Sequence, residues 1–363
     1  MNTKPVRKIN YVDWCLVVFL FAGIIVLGQS RVSALTLQSL RLATKTTPAP
    51  LATDEATDEA ADEAADEAAH FDRSSAYDFL KQICELGPRP SLSEGMTRQR
   101  KLLTKHFEAL GAEVYAQPFS ARHPNTGNVV QLSNLIVRWQ PQRKSRLMVC
   151  CHYDTRPFPD RDRQNPRGRF VGANDGGSGV ALLCEMGKQI SKMGGEYGID
   201  FVFFDGEEFV YIAQRDPMFL GSTFFANEYA SSKFDWKYQF AILVDMVGDK
   251  NLQIFYEGNS LGYAPRLTRS IWSVAKDLGV TEFVPEQRHK IRDDHLPLNS
   301  IAGIETCDII DFDYPDPNSK NAYWHTQRDS VEHCSAESLE KVGIVVLEWL
   351  RRMQKLHPGT REK

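Results

Sequence analysis

The chain reads as an α/β protein, a single domain of three α/β/α layers with a mixed, mainly parallel central sheet. Three observations predict this. Short apolar runs such as Phe201-Val-Phe-Phe204 stop abruptly on polar residues, here Asp205-Gly206-Glu207-Glu208. That is how a buried strand reaches its carboxyl end. Stretches of helical periodicity alternate with these runs, which argues for parallel strands with helices on both faces. The first two strand-like runs are separated only by turn residues, Pro124, Asn125, Gly127 and Asn128 among them. They predict an antiparallel hairpin at one edge of the sheet.

A length of 363 residues suffices for one large domain with appendages. The net charge of −4 gives no reason to expect a nucleic-acid partner, and the acidic excess is local. Seven cysteines without CxxC spacing exclude a zinc ribbon and point to small buried hydrophobes. Cys150 and Cys151 are adjacent on a strand and should face opposite sides of it.

Residues 1–34 combine Lys4, Arg7 and Lys8 with an apolar run from Trp14 to Leu27. This is the pattern of a secretory signal peptide or a signal anchor. The run is short for a spanning helix, which needs ~20 apolar residues, and Val32-Ser33-Ala34 resembles a small-residue cleavage site. Either reading places the remainder outside the cytoplasm, and the second would hold it at a membrane. Residues 35–70 form a disordered acidic linker. A four-residue unit, (Ala/Thr)-Asp-Glu-Ala, recurs there and places eight carboxylates between Asp54 and Glu67. These repel one another and bury nothing.

The globular domain should occupy residues 71–358. Ser74 or Ser75 is expected to cap a first helix carrying Phe79, Ile83 and Leu86, ended by Gly87-Pro88. A second helix from Glu94 to Leu110 places Leu102, Leu103, His106, Phe107 and Leu110 at helical spacing, so His106 belongs to a helix face rather than to a ligand set. Strands follow over Val114–Phe119, Val129–Trp139 and Arg146–Asp154. A helix runs from the glycine-rich segment at Phe170–Val180 to about Met193. The Phe201 strand, a short helix with Phe224 and Phe225, and a strand from Phe240 to Val247 come next. Then come a helix from Ala264 to Leu278, a strand from Gly303 to Ile310, and a final helix capped by Ser335 with Leu339, Val342, Val346, Leu350 and Met353 on one face.

Polar residues suited to chemistry recur where these strands end: His152 and Asp154, Asp175, Glu207 and Glu208, Asp245, and later His325. Each alone has a plain structural explanation, such as helix capping for Asp175. Asp245 within an apolar strand is harder to dismiss, because an unpartnered buried carboxylate is costly. In open α/β sheets ligands bind at the carboxyl ends of strands, so several such groups predict one convergent site. Imidazole and carboxylates without thiolates suit a catalytic zinc with an open position.

His152-Tyr-Asp154, Gly172-Ala-Asn-Asp-Gly-Gly-Ser-Gly179, Glu207-Glu208, Asp245 and His325 resemble the zinc-dependent aminopeptidase superfamily, which also contains the glutaminyl-peptide cyclotransferases (glutaminyl cyclases). The resemblance covers about Phe71 to Leu356. Three features look like the cyclases: Phe-Phe-Asp-Gly-Glu-Glu with a long gap before Gly221-Ser222, Asp293-Asp294-His295-Leu-Pro297, and Trp324-His325-Thr326. The resemblance implies a zinc aminopeptidase-like fold with one zinc held by Asp175, Glu208 and His325. It implies Glu207 as general base and acid, Asp245 and Asp294 as a hydrogen-bonded carboxylate pair beside it, and Trp324 as a pocket wall. Asp154 would orient structure near the metal. The implied substrate is the N-terminal glutamine of peptides or proteins, closed to pyroglutamate with loss of ammonia, and a monomer is expected. Two positions depart from the animal cyclases: Ala213 stands where they carry a pocket tryptophan, and Asp308 where they carry a second histidine. The rival reading is a two-zinc aminopeptidase, with His152, Asp175, Glu208, Asp245 and His325 as ligands and Glu207 activating water. A third is a membrane-tethered binding domain without catalysis, against which stands the presence of every candidate ligand and of Glu207.

Overall fold

The computed structural model describes residues 71–314 and 323–355. All of these fall in the second of two compact units, Asp54–Lys363. The signal peptide or anchor and the acidic linker lie outside the described residues. Among the described residues no helix is long and apolar enough to cross a membrane.

The chain begins with α1 (Arg73–Glu85) and α2 (Glu94–Ala109). The first cap is Asp72, not a serine: its carboxylate accepts the N–H groups of Ser74 and Ser75, both at 3.0 Å. Aspartate here satisfies two of the donors that a helix start leaves orphaned. The hairpin β1 (Glu113–Arg122) and β2 (Val129–Trp139) follows, antiparallel as expected. Then come β3 (Ser145–His152), α3 (Ser178–Ile190), β4 (Gly198–Phe204), α4 (Leu220–Ser231) and β5 (Lys237–Asp245). The remainder comprises β6 (Ile254–Glu257), α5 (Gly258–Tyr263), α6 (Pro265–Asp277), β7 (Phe283–His289), α7 (His295–Ser300), β8 (Thr306–Ile310) and α8 (Ala336–Lys355).

The central sheet has the order β1-β2-β4-β3-β5-β8. β4, β3, β5 and β8 are parallel, and β2 joins β4 antiparallel. Helices cover both faces. Cys151, with Leu147 and Val149, packs into the larger core with α1, α2, α3, α6 and α8. Cys150, with Met148, faces the other core, which contains Phe225 of α4 and Leu298 of α7. The adjacent cysteines thus point to opposite faces, and the six described cysteines are buried free thiols. Every residue of β4 is buried. Burying one such Phe or Val side chain stabilises the fold by roughly 1.5–3 kcal/mol.

The small parallel sheet β6-β7 has no counterpart in the sequence reading. β6 spans only four residues, and most of β7 is exposed and contains Pro285, so neither presents a clear strand pattern.

Candidate active site

The predicted polar residues converge along the carboxyl edge of the parallel strands. His152 is the last residue of β3 and Asp245 the last of β5, while Glu207 and Glu208 follow β4. Asp175 lies just before α3, and Asp293 and Asp294 immediately precede α7.

Long-range hydrogen bonds set these positions. Asp154 accepts the N–H of Glu207 on Oδ1 at 3.2 Å and that of Glu208 on Oδ2 at 3.0 Å. It therefore fixes the backbone of the glutamate pair. Asp329 does the same for the other side of the site, accepting the N–H of Asn174 at 2.7 Å and of Asp175 at 3.1 Å. Gly176 has φ +77°, and a Cβ there would lie 2.4 Å from the Asp154 carbonyl oxygen, so only glycine fits this turn. His325 and Met246, which follows Asp245, adopt φ of +56° and +49°. Such strain in side-chain-bearing residues is held in place by the surrounding structure and is typical of functional sites.

Asp175, Glu208 and His325 are all buried, with ligand atoms within 4.8 Å of one another. His325 Nε2 lies 3.4 Å from Asp175 Oδ2 and 3.1 Å from Glu208 Oε1. Asp175 Oδ2 and Glu208 Oε2 are buried without a hydrogen-bond partner. Two orphaned carboxylate oxygens in a buried group that also holds an imidazole fit a zinc ion, and the donor set is right for it. Burial opposes ionisation of both residues, yet His152 and His325 hold Asp175 well below its usual range. Against the same burial, Glu208, Asp160 and Asp175 raise His325 to about 10. A metal must therefore displace a proton from this imidazole.

His152, Asp175 and Asp245 form a second group that shares Asp175. His152 Nε2 contacts Asp245 Oδ1 at 3.1 Å, and its Nδ1 lies 3.1 Å from the Asp154 carbonyl oxygen. A third group, Glu257, His295 and Asp308, lies outside the expected site. Glu257 there accepts the N–H groups of Asn259, Ser260 and Ile291 and the Ser260 hydroxyl, while the ring nitrogens of His295 and the carboxylate oxygens of Asp308 have no hydrogen-bond partner among the described residues.

Glu207 is buried, and its acid is pushed well above the ordinary value, first by burial and then by the charges of Glu208, Asp293 and Asp294. The hydrogen bonds that Asp245 and Asp294 make among the described residues go to other partners. Asp245 bonds to His152, and Asp294 Oδ1 accepts the Ser222 hydroxyl at 2.5 Å. Asp294 is the capping position of α7, which turns its carboxylate toward the start of α4. Asp293 is instead the residue on which Asp245 acts as the foremost neighbouring charge. Burial raises Asp294 to about 7 despite the Ser222 bond.

Trp324 packs against His325 with ring centroids 4.1 Å apart and against Phe312 at 4.9 Å. Ala213 is exposed, in a turn where Asp216 accepts the N–H groups of Tyr211 and Ile212. His106 stays on its helix face, packed on Phe79 and 2.9 Å from the Cys184 carbonyl oxygen. Sequence reasoning did not assign roles to Asp293 and Asp329. Asp293 adjoins a residue that was singled out. Asp329 carries no local signal, since the two site N–H groups that it holds are more than 150 positions away.

A central sheet with helices on both faces, and a carboxylate and imidazole group at its carboxyl edge, is the arrangement of the zinc-dependent aminopeptidase-like fold. The chain belongs to peptidase family M28, whose family model matches residues 134–350. Among solved structures it is similar to glutaminyl cyclase from Fimbriiglobus ruber, at 38% identity and TM-score 0.73, covering 77% of this chain and 95% of that one. It is also similar to a leucine aminopeptidase precursor from Bacteroides thetaiotaomicron, at 32% identity and TM-score 0.70, covering 78% and 97%. Among curated proteins it is 26% identical over 254 residues to glutaminyl-peptide cyclotransferase from Gloydius blomhoffii, covering 60% of this chain. The match spans 66% of that relative's length, just under two thirds.

Proposed function

We propose that the protein is a glutaminyl-peptide cyclotransferase, closing the N-terminal glutamine of peptides or proteins to pyroglutamate with release of ammonia. The similarity to solved glutaminyl cyclases supports this reading. One observation carries it over a two-metal aminopeptidase. The orphaned oxygens, Asp175 Oδ2 and Glu208 Oε2, belong to the first ligand group, while in the second His152 and Asp245 satisfy each other. That pattern favours one zinc per chain, held by Asp175, Glu208 and His325.

When bound, zinc would polarise the γ-carbonyl of the substrate glutamine and stabilise negative charge on its oxygen. Glu207 takes a proton from the α-amine as it attacks that carbonyl, and returns it to the departing nitrogen. Its raised acid suits both steps, and Asp293 and Asp294 help keep it so. Asp245 anchors His152 beside the shared ligand Asp175. Trp324 walls the pocket beside His325. The nucleophile belongs to the substrate, so ring closure has an effective-concentration advantage and requires no activated water.

Residues 1–34 and the acidic linker make this an exported enzyme, either released or tethered at a membrane, acting as a monomer. The reading is tested by offering Gln-peptides and Leu-peptides to the purified protein. Ammonia release without cleavage of a peptide bond is expected. Release of free amino acids would establish the aminopeptidase instead.

A further inference from the structure

The loop leaving β3 carries two charged residues that the chemistry above does not use. Arg156 is buried, and its Nη1 lies 2.6 Å from Glu208 Oε1. The same guanidinium holds Asp160, with Nε 3.1 Å from Oδ1 and Nη2 3.1 Å from Oδ2. Asp160 Oδ1 lies 3.3 Å from Nδ1 of His325, and His325 Nε2 lies 3.1 Å from Glu208 Oε1. Arg156, Glu208, His325 and Asp160 thus close a ring, of which two members are candidate zinc ligands and two are not.

We propose that Arg156 and Asp160 are positioning residues for the metal. Arg156 occupies Glu208 Oε1 and leaves Oε2, which has no other partner, free for the ion. Asp160 faces Nδ1 of His325 and leaves Nε2 as the ligand nitrogen. A carboxylate close to one imidazole nitrogen favours the proton there and so sets the tautomer and aim of the other. A guanidinium beside a metal ligand would by itself repel the ion. Asp160, which accepts from Nη2 and lies 3.1 Å from Nε, balances that charge while the guanidinium keeps its grip on Glu208. The inference rests on Asp175, Glu208 and His325 being the ligands, and holds whether the reaction is cyclisation or peptide hydrolysis.

The test measures zinc itself. The full chain is loaded with zinc, and its release to a chromogenic chelator is followed for wild type, Arg156→Lys and Asp160→Asn. The Asp160 side chain is 29% exposed, so its variant should fold, as circular dichroism would verify. Both variants should release zinc roughly ten- to a hundredfold faster than wild type. Lysine keeps the charge but lacks the fork, so failure of Arg156→Lys to restore retention assigns the effect to geometry. With cobalt in place of zinc, the visible bands of Asp160→Asn should shift at full occupancy, which a purely structural role would not cause. Release rates within about twofold of wild type, with unshifted bands, would overturn the proposal. A wild-type protein that takes up no zinc would overturn the ligand assignment and this inference with it, whereas normal uptake with unchanged release sinks the inference alone.

Discussion

Asp329 accepts the backbone N–H of Asp175 at 3.1 Å, although 154 positions separate the two in sequence. The same buried carboxylate accepts the Asn174 N–H and the Tyr314 hydroxyl. One side chain therefore ties the loop before α3 to the segment that carries His325. Asp329→Ala would leave these donors unpaired in the interior. It should lower stability by about 2–4 kcal/mol, read from the denaturant midpoint, and weaken zinc retention as Asp175 drifts.

Glu207→Gln keeps the size of the side chain and removes its proton transfer. We expect kcat to fall by about 10²- to 10⁴-fold with the zinc content unchanged. Should this variant lose its metal while Glu208→Gln keeps it, the roles of the two glutamates are reversed.

Zinc should raise stability with the logarithm of its free concentration, by about 2.7 kcal/mol at a hundred times its Kd. Because His325 holds its proton to about 10 in the metal-free site, affinity should increase with pH across the neutral range. Elemental analysis should find one zinc per chain in both wild type and Asp245→Ala. Two in wild type and one in the variant would favour the aminopeptidase.

Trp324→Ala removes the ring that lies against His325 and supports the Arg161 guanidinium 3.9 Å above it. If Trp324 walls the substrate pocket, KM for a Gln-peptide should rise by roughly tenfold with a smaller change in kcat. An unchanged KM would remove it from the pocket.

Asp249 gives a pH test outside the candidate ligand set. Burial raises its acid from 3.8 to about 6, and its Oδ2 has no hydrogen-bond partner. A raised folded-state value favours folding with the proton on, fully so below about pH 4. That advantage is lost as pH rises through about 6. Asp249→Asn should therefore be more stable than wild type by about 2 kcal/mol at pH 8, with the difference vanishing near pH 4. Urea titrations at the two pH values measure it.

Much of this was legible in the sequence because the signals are local. An apolar run that stops on Asp-Gly-Glu-Glu or on His-Tyr-Asp announces a buried strand and what stands at its end, and α/β topology gathers such ends along one edge. His106 could be set aside on helical periodicity alone. The short β6 and the exposed β7 were not legible, for want of a pattern.

Partner choice was decided only by the tertiary structure. Both Asp293 and Asp294 were visible, but that Asp294, at the start of α7, bonds Ser222 was not. Asp245 meets His152 because β3 and β5 are neighbours in register. Asp329, Arg156 and the left-handed backbone of His325 leave no mark on local composition. The sequence by itself determined the order of the central strands and the longer helices and the chemical kinds of residue at their ends. Which of those residues touch depends on packing between segments far apart in the chain, where hydrogen-bond geometry is set by the whole fold and not by any run of neighbours.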